Sequence, residues 1–189
     1  MAIIIGIDPG ATIGLCVYDT TAGQALASLT TRDPVEAVGW VKLGADHDAI
    51  GIERARIYGA GGASVANTIE QVGWLLASLG ASLPDSSAAI VRCGADVHTL
   101  ERRAVVSTLS AAVGQSVKGD AGVWQALCTL HPGAAQRPVA AKPATRTKPA
   151  VEAVEAGPLY GVSSHARAAL AVAWALGKHL EGRVPAVGQ

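Results

Sequence analysis

The sequence has no phenylalanine and one methionine, and its aromatic content is only 4%. With alanine and glycine abundant, that bias reflects a GC-rich coding sequence more than a function. Cysteine is scarce as well. Cys16, Cys93 and Cys128 lie far apart and form no CxxC pair, which argues against a disulfide framework or a cysteine zinc site and fits a reducing cytosol. Neither sign of charge dominates: 15 basic residues face 15 acidic ones. A nucleic-acid binder more often carries a basic excess, so this balance counts against DNA or RNA unless the charge is clustered. No apolar run approaches the roughly 18–20 residues that cross a bilayer, and no basic n-region with a cleavage site opens the chain. The expectation is a cytoplasmic protein with no membrane partner.

What remains is 189 residues, half of them apolar, enough for one domain with a full-sized core. Residues 1–182 are expected to form that domain, with a tail at 183–189. "IIIGID" (3–8) reads as a buried strand, "TIGLCVYD" (12–19) as a second, and "TAGQALASLT" (21–30) as a turn and a third. The first two are joined by the tight turn "DPGA", so the three form an antiparallel meander. "DPVEAVGWVKLG" (33–44) has an Asp cap, Pro at the first helical position and a closing Gly, the marks of a short helix. "DAIGIE" (48–53) is a fourth strand. Apolar residues at 65, 69, 72, 76 and 79 predict a helix over 63–80. "AAIVRC" (88–93) is a fifth strand, and 98–114 and 120–131 read as helices.

Residues 132–158 differ in composition. They hold five prolines and few large apolar side chains, and Arg137, Lys142, Arg146 and Lys148 follow one another without an intervening acid. This predicts an extended, mobile, basic segment. The last element, "SSHARAALAVAWALGKHLEG" (163–182), reads as a serine-capped helix with Leu170, Ala173, Trp174 and Gly177 on one face. Strands first, then strand–helix alternation, then a closing helix predict an α/β or α+β domain around one sheet.

Two strands end in carboxylates, Asp8 and Glu53. A buried acid is costly unless it is paired or bound. If the first and fourth strands are neighbours, the two acids converge, and hard divalent cations take oxygen ligands of this kind. Two such ions about 3.5–4 Å apart can clamp a phosphodiester for hydrolysis. His165 sits in the first turn of the last helix, with position 168 one turn on along the same face.

Three blocks, "GIDPGATIGLCVYD", "IGIERA" and "SSHARAALAVAWAL", resemble the RuvC family of Holliday-junction resolvases, part of the RNase H-like nuclease superfamily. The likeness spans roughly residues 3–131 and 159–180. It implies an RNase H-like fold: a mixed five-stranded sheet, the first three strands antiparallel, with helices on both faces. It also implies a homodimer that binds four-way or branched DNA and cuts it with two Mg²⁺ or Mn²⁺ ions per site. Asp8 would bridge both ions, Glu53 would be the second acid, and His165 would stand where the family has Asp or His. The next family acid falls at Ala168, followed here by Ala169, Leu170 and Ala171. Either an inactivating Asp→Ala change or natural divergence accounts for this, and the intact remainder of the motif favours the first. Glu152 and Glu155 are poor substitutes because they lie in the proline-rich segment. With an acid missing, the chain is expected to bind DNA but to cut it poorly or not at all.

Basic residues near the expected cleft are Arg54, Arg56, Arg102, Arg103 and Lys118, with Tyr58 available to stack on a base. The basic proline-rich segment would sweep the DNA arms. The 63–80 helix, with Trp74 and Leu75, is the candidate dimer surface. The compressed middle and the basic insertion suggest a phage-type enzyme, acting in a bacterial cytoplasm or a phage-infected host. Three rivals remain. An actin-like or sugar-kinase-like ATPase would need a second such domain. Another RNase H-like nuclease, acting in ribosomal RNA processing, fits the last block less well. A branched-DNA-binding protein that does not cut is consistent with the missing acid.

Overall fold

The computed structural model describes residues 2–43, 46–54, 63–84, 88–94, 96–141 and 153–182. Strand β1 (Ile3–Asp8) runs antiparallel to β2 (Ile13–Asp19), and β2 runs antiparallel to β3 (Gln24–Thr31). After helix α1 (Pro34–Leu43), strand β4 (Ala49–Arg54) lies parallel to β1 on its other side. Helix α2 (Ala63–Ser78) then leads to the short strand β5 (Ile90–Arg92) and to β6 (Val97–Glu101). Strand β6 pairs parallel with β4 and antiparallel with β5, so the sheet order is β3-β2-β1-β4-β6-β5. Helices α3 (Arg102–Val113), α4 (Gly119–Leu130) and α5 (Ser164–Leu180) complete the chain.

The mixed α/β architecture and the antiparallel start match the sequence expectation, but the sheet has six strands rather than five. The extra strand is β6, in a stretch whose start reads as helix. Val97, Leu100 and Ala104 fall at helical spacing, yet the first two belong to a strand buried at every position and α3 begins only at Arg102. Burial between β4 and β5 overrides the local pattern.

Alternation along the strands divides the core in two. Ile5, Ile7, Ile13, Leu15, Ile50 and Ile52 face α1 and α2. Ile4, Cys16, Tyr18 and Leu100 face α3, α4 and α5. Helix α5 is buried from Ala169 through Gly177, because the sheet covers one side and α3 and α4 cover the other. Two glycines let it approach the sheet. A Cβ on Gly6 would stand 1.9 Å from the Ala169 carbonyl oxygen, and one on Gly14 would stand 2.2 Å from that of His165. Both clashes are with backbone, which cannot move aside as a flexible side chain can.

Asp33 behaves as expected at the start of α1, its Oδ1 accepting from the Val35 amide at 2.9 Å. Ser163 stands at the N-cap of α5, but its side chain makes no capping hydrogen bond. The flanks of the 132–158 segment are tied down: Val139 and Val154 exchange backbone hydrogen bonds, both 2.9 Å, and Ala134 and Leu159 are buried. Pro158 offers its carbonyl to the Ala25 amide at the edge of β3. Among the described residues no helix is long and apolar enough to cross a membrane.

Candidate active site

In β1, Ile4, Gly6 and Asp8 point to the α5 side. In β4, Gly51 and Glu53 do the same, since Gly51 lies against Val172 of α5. The parallel register pairs Ile7 with Ile52, so Asp8 and Glu53 are the next residues along adjacent strands. The close approach at Gly14, the register partner of Asp8, sets the first turn of α5 beside them. His165 Nδ1 then lies 3.6 Å from Asp8 Oδ2. The three side chains line one cleft of about 780 Å³, and Ala168 lines it too.

The cleft's charge is balanced by an arginine. Arg102, the first residue of α3, donates from Nη1 to Glu53 Oε2 at 3.0 Å and from Nη2 to Asp120 Oδ1 of α4. Burial pushes the Asp8 carboxyl above its usual range, against the pull of Arg102 and His165. Glu53 is raised for the same reason, burial first; Arg102 opposes the shift and the nearby Asp8 charge adds to it. Burial works to lower the Arg102 pKa, but the Glu53 charge and hydrogen bond overcome it and hold the guanidinium protonated.

The expected DNA contacts divide. Arg54 is only 8% exposed. It lies on the opposite face of the sheet from Glu53, where Nη2 donates to Glu101 Oε1 at 3.1 Å and to the Ala88 carbonyl. It forms a core ion pair away from the cleft, because one residue along a strand reverses the face. Arg103 is exposed and pairs with the same Glu101. Arg102 serves the two acids. Lys118, at the N-cap of α4, and Arg137 are exposed. Arg56, Tyr58, Lys142, Arg146 and Lys148 lie outside the described residues. On α2, Leu75 is 1% exposed and belongs to the core, whereas Trp74 is 40% exposed.

Three cleft residues escape a reading of the sequence: Asp120 and Trp124 on α4, and Arg167 on α5. Asp120 and Trp124 are spaced i, i+4 and share a helix face. That spacing is a weak signal until α4 is known to border the acids. Glu101, a third strand-end acid, is a decoy. It falls on the other face of the sheet, with Arg54.

No protein-family model matches the chain, and no curated protein matches it. Solved structures do. A Thermus thermophilus RuvC in complex with a Holliday junction substrate superposes with a TM-score of 0.52 at 16% identity, covering 96% of each chain. A second Thermus thermophilus RuvC structure gives 0.51 at 16% identity, over 95% of this chain and 96% of that one. The chain has the RuvC fold. At this identity the likeness concerns architecture, and the chemistry of the cleft is argued from its own residues.

The two convergent acids raise the question of divalent metal. Among the described residues no three His, Cys, Asp or Glu side chains stand together as a ready-made metal group. Two half-buried carboxylates whose ionised forms burial disfavours, with an imidazole beside one of them, are nonetheless a donor set suited to one hard cation. They do not fit two ions. Ala168 presents a methyl where the resemblance expects a carboxylate, and Arg102 already engages Glu53.

Proposed function

We propose that this protein binds four-way or otherwise branched DNA in the cleft at the ends of β1 and β4, and that the cleft is built on a metal-dependent endonuclease plan that Ala168 leaves incomplete. The observation that carries this reading is the convergence of Asp8, Glu53 and His165 on one cleft within the RuvC fold. Asp8 and Glu53 would hold a single Mg²⁺ or Mn²⁺, which supplies Lewis-acid polarisation of a phosphodiester. His165 is placed to steady Asp8 and to hold or release a proton at Nδ1. Arg102 fixes the Glu53 carboxylate, and its positive charge lessens repulsion between the acids and an approaching phosphate. The exposed cations Lys118 and Arg137 are available to the DNA backbone, the sequence-independent part of affinity.

The chain is proposed to act as a homodimer, because a twofold assembly matches the near-twofold symmetry of a four-way junction. Trp74 on α2 supports that surface, being a large aromatic left exposed. A second reading, branched-DNA binding without cleavage, is favoured by Ala168 itself. Losing a metal ligand impairs cutting, whereas removing a carboxylate from the cleft eases phosphate binding.

The test is a titration of labelled four-way junctions and of duplexes of the same sequence, at one fixed salt concentration, with Mg²⁺ or Mn²⁺ present. Tighter binding to the junction is expected. Equal affinity for junction and duplex would sink the reading.

A further inference from the structure

Beside its acids, the cleft carries a pair of opposite character. Arg167 of α5 lies over Trp124 of α4, its guanidinium carbon 4.3 Å from the ring centroid, a cation–π distance. Its Nε donates to the Val162 carbonyl at 3.1 Å, which fixes the head group from the turn preceding α5. Trp124 is half-buried and packs on the core, so the stack rests on a rigid base. Arg167 is exposed, and among the described residues no acid pairs with it, although Asp8, Glu53 and Asp120 line the same cleft. The acids take Arg102, and Arg167 is held over an indole instead.

A planar guanidinium over an aromatic support, lining a cleft, suits a ligand with a π-face and an adjacent negative charge. An unpaired nucleotide has both. A base within a duplex is stacked on its neighbours and cannot offer its face, whereas one at a branch point can. We propose that the Trp124–Arg167 stack is the platform on which an unpaired nucleotide of branched DNA is held, its base on the guanidinium plane and its phosphate at the Nη edge. This rests on the branched-DNA reading of the same cleft and adds the element that separates a branch point from duplex.

The test uses the full-length chain and synthetic four-way junctions with 2-aminopurine next to the crossover, compared with duplex at the same salt. The unaltered protein should change 2-aminopurine emission in the junction. Arg167→Ala should weaken junction binding about tenfold, the scale of one lost base stack, and leave duplex binding within about twofold. Arg167→Lys, which keeps the charge but not the plane, should lose as much and abolish the emission change. Arg167→Met preserves packing on Trp124 and should match Arg167→Ala with an unchanged melting temperature. The proposal is overturned if junction and duplex affinities fall together, if Arg167→Lys binds like the unaltered chain, or if none of these variants matters. If the unaltered protein shows no junction preference, the branched-DNA reading itself fails and the platform with it.

Discussion

Arg102 Nη1 donates to Glu53 Oε2 at 3.0 Å, and the same guanidinium reaches Asp120 through Nη2. One side chain thus joins the end of β4, the start of α3 and the first turn of α4, and brings a positive charge to a cleft with three acids. Arg102→Met should cost about 1–2 kcal/mol of stability, a charge-assisted bond discounted for partial exposure. The same change should raise Mn²⁺ affinity at least about tenfold by removing a competing cation. Denaturant unfolding and isothermal titration read the two effects. A stability loss accompanied by weaker Mn²⁺ binding would show that Arg102 supports the cation site rather than competing with it.

Asp8 gives a pH prediction. Its folded pKa is raised, so the folded state keeps the proton to higher pH than the unfolded chain does. The stability this contributes is complete below the unfolded carboxylate range, near pH 4, and is lost as pH rises through the folded value. Asp8→Asn keeps the shape and removes the charge. Without divalent cations it should therefore be more stable than the unaltered chain at pH 7 and equal to it near pH 3. Melting curves across that range check this, and a variant less stable at pH 7 would contradict it.

Two glycine substitutions should act in opposite directions. Gly14→Ala would press a methyl into the His165 carbonyl. It should cost about 1–3 kcal/mol or more and shift the His165 ring resonances away from Asp8. Gly39→Ala, within α1 and with open space around the new Cβ, should stabilise by about 0.5–1 kcal/mol. Equal effects at the two sites would show that the contact of α5 with β2 is looser than described.

Arg54 tests whether the buried arginine is structural. Arg54→Met removes the main-chain-anchored partner of the buried Glu101 and leaves the exposed Arg103 beside it, so it should destabilise the fold by roughly 1–3 kcal/mol. Once the variant is folded, its DNA affinity should be unchanged. A selective loss of DNA binding with normal stability would return Arg54 to the interface.

The strand-end acids were legible because apolar runs that stop at a carboxylate stand out, and period-two alternation already puts Asp8 with Gly6 and Glu53 with Gly51. Gly14 stands inside the second strand, but why a glycine is needed there shows only once α5 is placed. β6 was hidden because five residues running straight into a helix copy helical spacing. Arg54 lies away from the cleft because adjacency to Glu53 in sequence means the opposite face in a strand. Asp120, Trp124 and Arg167 come from two helices, and nothing local relates them to the acids until those helices pack around the ends of β1 and β4.

The most direct test of the central claim, that this cleft is a nuclease site left incomplete at position 168, is junction cleavage by Ala168→Asp in Mn²⁺. The account predicts that Ala168→Asp cuts four-way junctions, that Ala168→Asp combined with Asp8→Asn does not, and that the unaltered chain binds without detectable cutting. Failure of Ala168→Asp to cut junctions that it binds would contradict the claim.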